Sequence, residues 1–248
     1  VFENFPVVKG KRVFIKPNLV MPVHPWDKAS TTAVEIVEMV IRKCLQDDAS
    51  EILVGDCGFK DQWDATMRST RYEQLVRLDS RIRLIPLQDG ENYHKFTLKR
   101  LERYRSLFGA KLSDYLLNSD VIINAPKMKV HCMAIVTGAI KNMMGTMLAK
   151  GSMHPRANIE ILHERLADLY QLTQPLIDYI VMDGIVGAEY AEQYGRPVES
   201  KVLIFGTDQW EVDVAACKLM GINPAKVPYL RYIRQDFHSV IVPDELKI

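Results

Sequence analysis

The stretch Val121-Ile-Ile-Asn-Ala-Pro-Lys-Met-Lys-Val-His131 carries the reading of the fold. Its first three residues form a β-branched apolar run, the pattern of a strand buried on both faces. Pro126 offers no N–H to a ladder, so the run stops there. Lys127, Lys129 and His131 then alternate with Met128, Val130 and Cys132. In an extended backbone this period of two puts three basic groups on one face and three apolar ones on the other. The chain continues through Cys132-Met-Ala-Ile-Val-Thr-Gly-Ala-Ile-Lys-Asn-Met-Met-Gly145, which adds Lys141 between two glycines. Cations gathered at the end of a buried strand point to a site for something anionic.

Working outward, similar apolar runs recur. Val13-Phe-Ile15 reads as a strand ended by Lys16-Pro-Asn18, and Glu51-Ile-Leu-Val-Gly-Asp56 as a second. Between them, Val34, Val37, Ile41, Cys44 and Leu45 form one helical stripe, with Thr32 and Glu35 spaced as a capping box. Strand, helix, strand over such a length fits a parallel crossover. Residues 61–79 are expected to be helical, Arg83–Leu87 a short strand, Leu112–Leu117 a short helix and 133–148 a helix. Residues 150–155 read as a loop. Ile159, Leu162, Leu166 and Leu169 mark an amphipathic helix. Tyr179–Gly184 reads as a strand ending in an Asp-Gly turn, 187–197 as a loop, and Lys201–Phe205 as a strand. Asp208 is placed to cap a last helix, with Glu211 three residues on and Gly221 at its end. The alternation predicts one α/β domain over residues 1–248: a mainly parallel sheet with helices on both faces, a three-layer sandwich. Residues 88–112, charged and irregular, read as a small insertion or β-excursion.

Five of these strands end in polar residues: Lys16-Pro-Asn18, Gly55-Asp56, Asn124-Ala-Pro-Lys127, Asp183-Gly184 and Gly206-Thr-Asp208. Ligands of parallel sheets bind outside the carboxyl ends of the strands, so the five ends are expected to line one edge. Lys16, Lys127, Lys129 and Lys141 suit carboxylate or phosphate groups. Asp56, Asp183 and Asp208 suit a divalent cation or proton transfer, and His131 an acid, base or metal-ligand role. Taken singly, each feature has an ordinary explanation: an Asp-Gly pair is common turn chemistry, and paired lysines are commonly a solvated edge. His24 and His163 are expected to be structural.

Composition narrows the classes. The chain has 248 residues, and 32 Lys and Arg nearly cancel 31 Asp and Glu, for a net charge of +1. That balance argues against a polyanion-binding surface, so no nucleic acid partner is expected. Cys44, Cys57, Cys132 and Cys217 are widely spaced with no CxxC pair, so no iron–sulfur cluster on this chain and no zinc knuckle is expected. They read as buried reduced thiols. No apolar run approaches the ~20 residues that span a membrane. A cytoplasmic protein is expected, with export after removal of a signal left open because the chain begins at Val1. GxGxxG after a strand, GxxxxGK[ST], GxSxG and HExxH are all missing, which removes the standard dinucleotide, P-loop, hydrolase-elbow and zincin readings.

Ile15-Lys-Pro-Asn-Leu19, Gly55-Asp56, Ile123-Asn-Ala-Pro-Lys-Met-Lys-Val-His131, Thr137-Gly-Ala-Ile-Lys-Asn-Met-Met-Gly145, His154, Asp183-Gly184 and Gly206-Thr-Asp-Gln-Trp-Glu-Val-Asp213 resemble the DUF362 family. The resemblance runs from about residue 11 to about residue 230. The KxKxH and TGAxKNxxG segments together are specific. It implies little about reaction, because the family is named for unknown function. Many relatives are fused to a ferredoxin-like domain with two four-iron clusters, and others carry a twin-arginine export signal. This chain is expected to depart on both counts and to start after a first strand that relatives often have. Any redox chemistry would need electrons from a ferredoxin-type partner.

The expected function is an enzyme acting on a small anionic substrate, carboxylate or phosphate, at the carboxyl ends of the parallel strands, with a divalent metal as a candidate helper. Catalytic roles fall to His131, Lys141, Asp183 and Asp56. Substrate binding falls to Lys16, Asn18, Lys127, Lys129, Asn142, His154 and Asp208. One alternative is a redox component working with a separate iron–sulfur partner. Another is a non-catalytic ligand-binding or scaffold module, a homo-oligomer among its forms, with the methionines around Met143, Met144 and Met147 at an adaptable interface.

Overall fold

Strand β1 (Arg12–Pro17) lies inside the main sheet, and its side chains explain the layers. Val13 and Ile15 point to one apolar cluster and Phe14 to another. The same alternation holds in β2 (Glu51–Asp56), β6 (Val121–Ala125) and β9 (Tyr179–Glu189): Ile52, Val54, Ile123 and Val181 face the first cluster, and Leu53, Ile122, Ile180 and Met182 the second. A sheet covered on both faces needs such continuous apolar runs. Helix α1 (Val34–Gln46) and α2 (Trp63–Ser69) cover one face. Short helices α3 (Asp114–Leu117) and α4 (Ala139–Asn142), with α5 (Ile159–Thr173), α6 (Gln209–Leu219) and α7 (Pro228–Ile233), contribute to the cluster on the other. The computed structural model describes residues 2–24, 26–58, 60–87, 93–95, 106–107, 111–147, 154 and 158–243.

The main sheet has the order β3-β2-β1-β6-β9-β7-β8, where β3 is Ile82–Pro86, β7 Lys127–His131 and β8 Ile135–Thr137. β10 (Arg196–Val198) and β11 (Val202–Gly206) pair with β9 off this path. All pairings from β3 through β9 to β7 are parallel, whereas β8, β10 and β11 are antiparallel additions. The expected three-layer α/β architecture with a mainly parallel sheet is the one observed. In the 88–112 region, β4 (Tyr93–Lys95) pairs antiparallel with β5 (Lys111–Ser113) in a separate two-stranded sheet. Residues 88–92, 96–105 and 108–110 lie outside the described residues, as does most of the 150–155 loop.

Several local expectations are corrected. The 133–148 segment is not one helix: β8 forms a hairpin with β7, and α4 starts only at Ala139, beyond Gly138. Val136 and Thr137 are β-branched and suit that strand. Residues 61–79 break at Arg71, whose φ of 64° ends the helical path. Asp183-Gly184 is no turn, because β9 runs on to Glu189 and pairs there with β10, inside the segment expected to be a loop. Thr32 does not cap α1. Its hydroxyl donates to the Ala125 carbonyl at 2.7 Å, and the Ala33 N–H donates instead to Asp183 at 2.8 Å. Asp208 does cap α6, accepting from the Trp210 and Glu211 N–H groups. Gly221, with φ at 68°, follows its end.

Candidate functional site

The chain leaves β1 to build β2 and β3 on one side and returns later as β6 on the other. The crevice beyond the carboxyl ends of β1 and β6 is therefore the topological switch point of this sheet, where such folds bind ligands. Asn18 and Asn124 come together there through Asn142 of α4. The Asn142 amide nitrogen donates to the Lys16 carbonyl at 3.0 Å and to Asn124 Oδ1 at 2.8 Å, and its oxygen accepts from Asn18 Nδ2 at 3.1 Å. Asn124 Nδ2 donates onward to the Ala139 carbonyl at 2.8 Å, which ties the start of α4 to β6. All three amides are buried, so each donor and acceptor needs the partner it has.

The lysines divide into two kinds. Lys16 pairs with Asp56 at 2.7 Å, and Lys127 with Asp183 at 2.7 Å, all four side chains being buried. Asp56 also accepts from the Leu19 and Cys57 N–H groups at 2.6 Å each. Asp183 accepts from the Ala33 and Ile185 N–H groups. These carboxylates are held by structure on every side. Lys129 is different: its ammonium donates to Asn18 Oδ1 at 3.0 Å and to the Ser30 carbonyl, and no carboxylate among the described residues lies within salt-bridge distance. Burial, and then Lys141 and Lys127 nearby, push its pKa down to about 7.

Lys129 lines a cavity of about 480 Å³ together with Lys16, Asn18, Asp56, His131, Thr137, Lys141, Asn142, Gly145, His154 and Glu192. Gly145 lets the backbone approach the ion pair closely: a Cβ there would come within 2.2 Å of Asp56 Oδ1 and 2.9 Å of Lys16 Nζ. His131, at the end of β7, accepts at Nδ1 from the Met133 N–H at 3.0 Å and the Ala134 N–H at 3.1 Å. Its ring stacks on His154, centroids 5.9 Å apart, and its Nε2 lies 3.9 Å from Glu192. Burial, and then the charge of Lys141, push the His131 pKa down to about 3. His131, Cys132 and Glu192 each bring a donor atom within 4.8 Å of the others.

Of the eleven residues expected from sequence, eight line this one cavity: Lys16, Asn18, Asp56, Lys129, His131, Lys141, Asn142 and His154. Lys127 and Asp183 line a second cavity, of about 620 Å³, beside the first turn of α1. Asp208 is a correction. β11 runs antiparallel to β9, with Gly206 opposite Ile180, so its carboxyl end lies at the other edge of the sheet. There Asp208 caps α6 and pairs with Arg234. The cysteines also differ in part from expectation: Cys44 and Cys217 are buried, Cys57 is half-buried in the cavity and Cys132 is exposed. His163 is structural as expected, stacked on Tyr229 in the core. Met143, Met144 and Met147 are likewise core residues. Glu192 was not foreseen. It lies in the β9–β10 connection, and nothing in Tyr190-Ala-Glu-Gln-Tyr194 separates it from surface carboxylates.

Comparison with known proteins agrees with the fold. A thylakoid-associated protein of Synechocystis sp. is 26% identical over 235 residues, covering 91% of this chain and 67% of that protein. The lactate racemase apoprotein from Thermoanaerobacterium thermosaccharolyticum superimposes with a TM-score of 0.54 at 11% identity, over 89% of this chain. This chain spans about half of that structure, 51% of its length. At that identity the likeness concerns the fold. No helix among the described residues is long and apolar enough to cross a membrane. The model of the domain of unknown function DUF362 matches residues 13–218, nearly the whole sheet and both helical layers, and the chain belongs to that family.

Proposed function

We propose that the cavity at the β1–β6 switch point is the site of an enzyme acting on a small anionic substrate, a carboxylate or a phosphate. The observation that carries this reading is Lys129: a buried cation whose hydrogen-bond partners among the described residues are all neutral, lining the same cavity as Lys141 and a stacked pair of imidazoles. A buried charge without a counter-charge is costly. An anion entering the cavity would supply what Asp56 supplies to Lys16 and Asp183 to Lys127. Asp56 and Asp183 then serve as fixed counter-ions, and Asn18, Asn142 and His154 shape the cavity. The fold neighbour is named for lactate, itself a small carboxylate, which puts carboxylates first in any screen. A ferredoxin-type partner or a scaffold role would not call for an unmatched cation inside a cavity.

The test is a thermal-shift series with small carboxylates (lactate, pyruvate, malonate) and inorganic phosphate, on the wild type and on Lys129→Met and Lys141→Met. At least one anion is expected to raise the wild-type Tm and to lose that effect in Lys129→Met. Anions that bind are then followed by proton NMR in D2O for turnover. No shift with any of them overturns the anion site, and binding without turnover replaces the enzyme with a binding module.

A further inference from the structure

We propose that His131 works as a neutral imidazole that donates one hydrogen bond, from Nε2, to an oxygen of the bound ligand. On this view it is an electrophile, and neither a proton carrier nor a metal ligand. The role rests on the cavity being the ligand site, while the state of the ring stands on geometry alone.

The turn between β7 and β8 aims two backbone N–H groups, of Met133 and Ala134, at Nδ1. A backbone N–H can only donate, so Nδ1 must present its lone pair. The proton of the neutral ring then resides on Nε2. Protonating Nδ1 as well would press a third N–H against the two already there and break both bonds. Residues around the ring oppose a positive charge too. Lys141 approaches from α4, Lys129 from the same strand and His154 from the stacked ring, against the single carboxylate of Glu192 from the β9–β10 connection. Glu192 stands 3.9 Å from Nε2, beyond hydrogen-bond reach. The Nε2–H therefore has no acceptor among the described residues, on a ring that lines the cavity with 8% of its residue surface exposed. The depressed pKa of His131 agrees with this arrangement.

The same geometry bears on the His131–Cys132–Glu192 grouping. A metal needs a lone pair on the imidazole. The Nδ1 lone pair is held by two N–H groups, and coordination through Nε2 would remove the only proton the ring has. Metal-bound histidines keep a proton on the second nitrogen and donate it outward. His131 has the opposite arrangement, with the second nitrogen accepting. A donor fixed in place in the cavity favours charge building on a carbonyl or carboxylate oxygen, because it needs no reorganisation when that charge appears. A neutral imidazole holds its Nε2 proton throughout the physiological range, so any base in the reaction is another group of the cavity.

The test is long-range 1H–15N NMR of the full chain labelled with 15N-histidine, between about pH 5 and 8. His131→Gln identifies the resonances by their loss. Expected are an Nε2–H tautomer, with Nδ1 in the acceptor region, and no conversion to imidazolium across the range. Addition of Zn2+ alone is expected to leave these resonances in place. An Nδ1–H tautomer, a titration within that range, or Zn2+-induced displacement of the His131 signals overturns the proposal. A failed tautomer with anion-induced Tm shifts intact removes this role but not the anion site. The expected tautomer without binding of any small anion removes the ligand role and the site together.

Discussion

Asp56 receives the Lys16 ammonium at 2.7 Å with both side chains at 5% exposure or less, and the pair closes the floor of the cavity beneath Gly145. A buried pair adds little net stability over an apolar one, but removing one member strands the other. Asp56→Ala is expected to cost about 3–5 kcal/mol by urea unfolding, since Lys16 stays buried and the Leu19 and Cys57 N–H groups lose their acceptor. The double variant Lys16→Met/Asp56→Leu should recover much of that loss. A single variant within 1 kcal/mol of wild type would show that the pair is hydrated.

Gly145→Ala tests the same floor from the other side. The added methyl would overlap Asp56 Oδ1 and the Lys16 ammonium, so the buried ion pair would have to shift to admit it. Overpacking of this kind costs about 1–3 kcal/mol. Anion-induced stabilisation is expected to weaken in parallel, because Lys16 and Asp56 line the cavity. An unchanged Tm would mean that β1 and the turn after α4 can separate freely.

Asn142→Leu removes the hub of the amide network. It strands Asn18, Asn124 and the Lys16 carbonyl, and each unsatisfied buried group costs about 1–3 kcal/mol. Asn18 also holds the Lys129 ammonium, so ligand affinity should fall along with stability. Normal affinity in a folded Asn142→Leu protein would detach the network from the site.

Asp208→Ala is the control on the opposite edge. Loss of the α6 cap should cost about 1 kcal/mol, and the anion-induced Tm shift should stay at its wild-type size. A lost shift would mean that the two edges are coupled.

These contrasts show where sequence was informative. The strand runs were legible because burial on both faces leaves no polar position inside Val13–Ile15, Ile52–Val54 or Val121–Ile123. The α6 cap was legible because Asp208 and the N–H groups it serves are neighbours in the chain. Strand direction has no local signature, so β11 looked like a fifth parallel strand and Asp208 was assigned to the wrong edge. The alternation of Lys127, Lys129 and His131 was right for the backbone. A register shift in the pairing with β9, however, divides Lys127 from Lys129, and the two line different cavities. Which lysine finds a carboxylate depends on Asp56 and Asp183, brought in by tertiary pairing that no spacing encodes. The left-handed Ile135, φ 71°, opens β8 directly after the turn from β7, in a segment that reads as a helix from sequence.

Lys129 sets the expected pH dependence. Its pKa falls from 10.5 to about 7 in the folded protein. Between about pH 7 and 10 the unfolded chain therefore binds more protons at this residue, and its contribution to stability rises with pH. Below pH 7 both states are protonated and the full cost of the buried charge is present. Lys129→Met should be the more stable protein at pH 6, by a few kcal/mol, with the difference shrinking toward pH 10. Ligand binding should move the other way: an anion that needs the ammonium loses affinity as pH rises through about 7, approaching tenfold per unit above it. Urea unfolding of both proteins across this range, with calorimetric titration of the best anion, measures both slopes. A stability difference that stays constant from pH 6 to 10 would place Lys129 in contact with a counter-charge and remove the basis for the anion site.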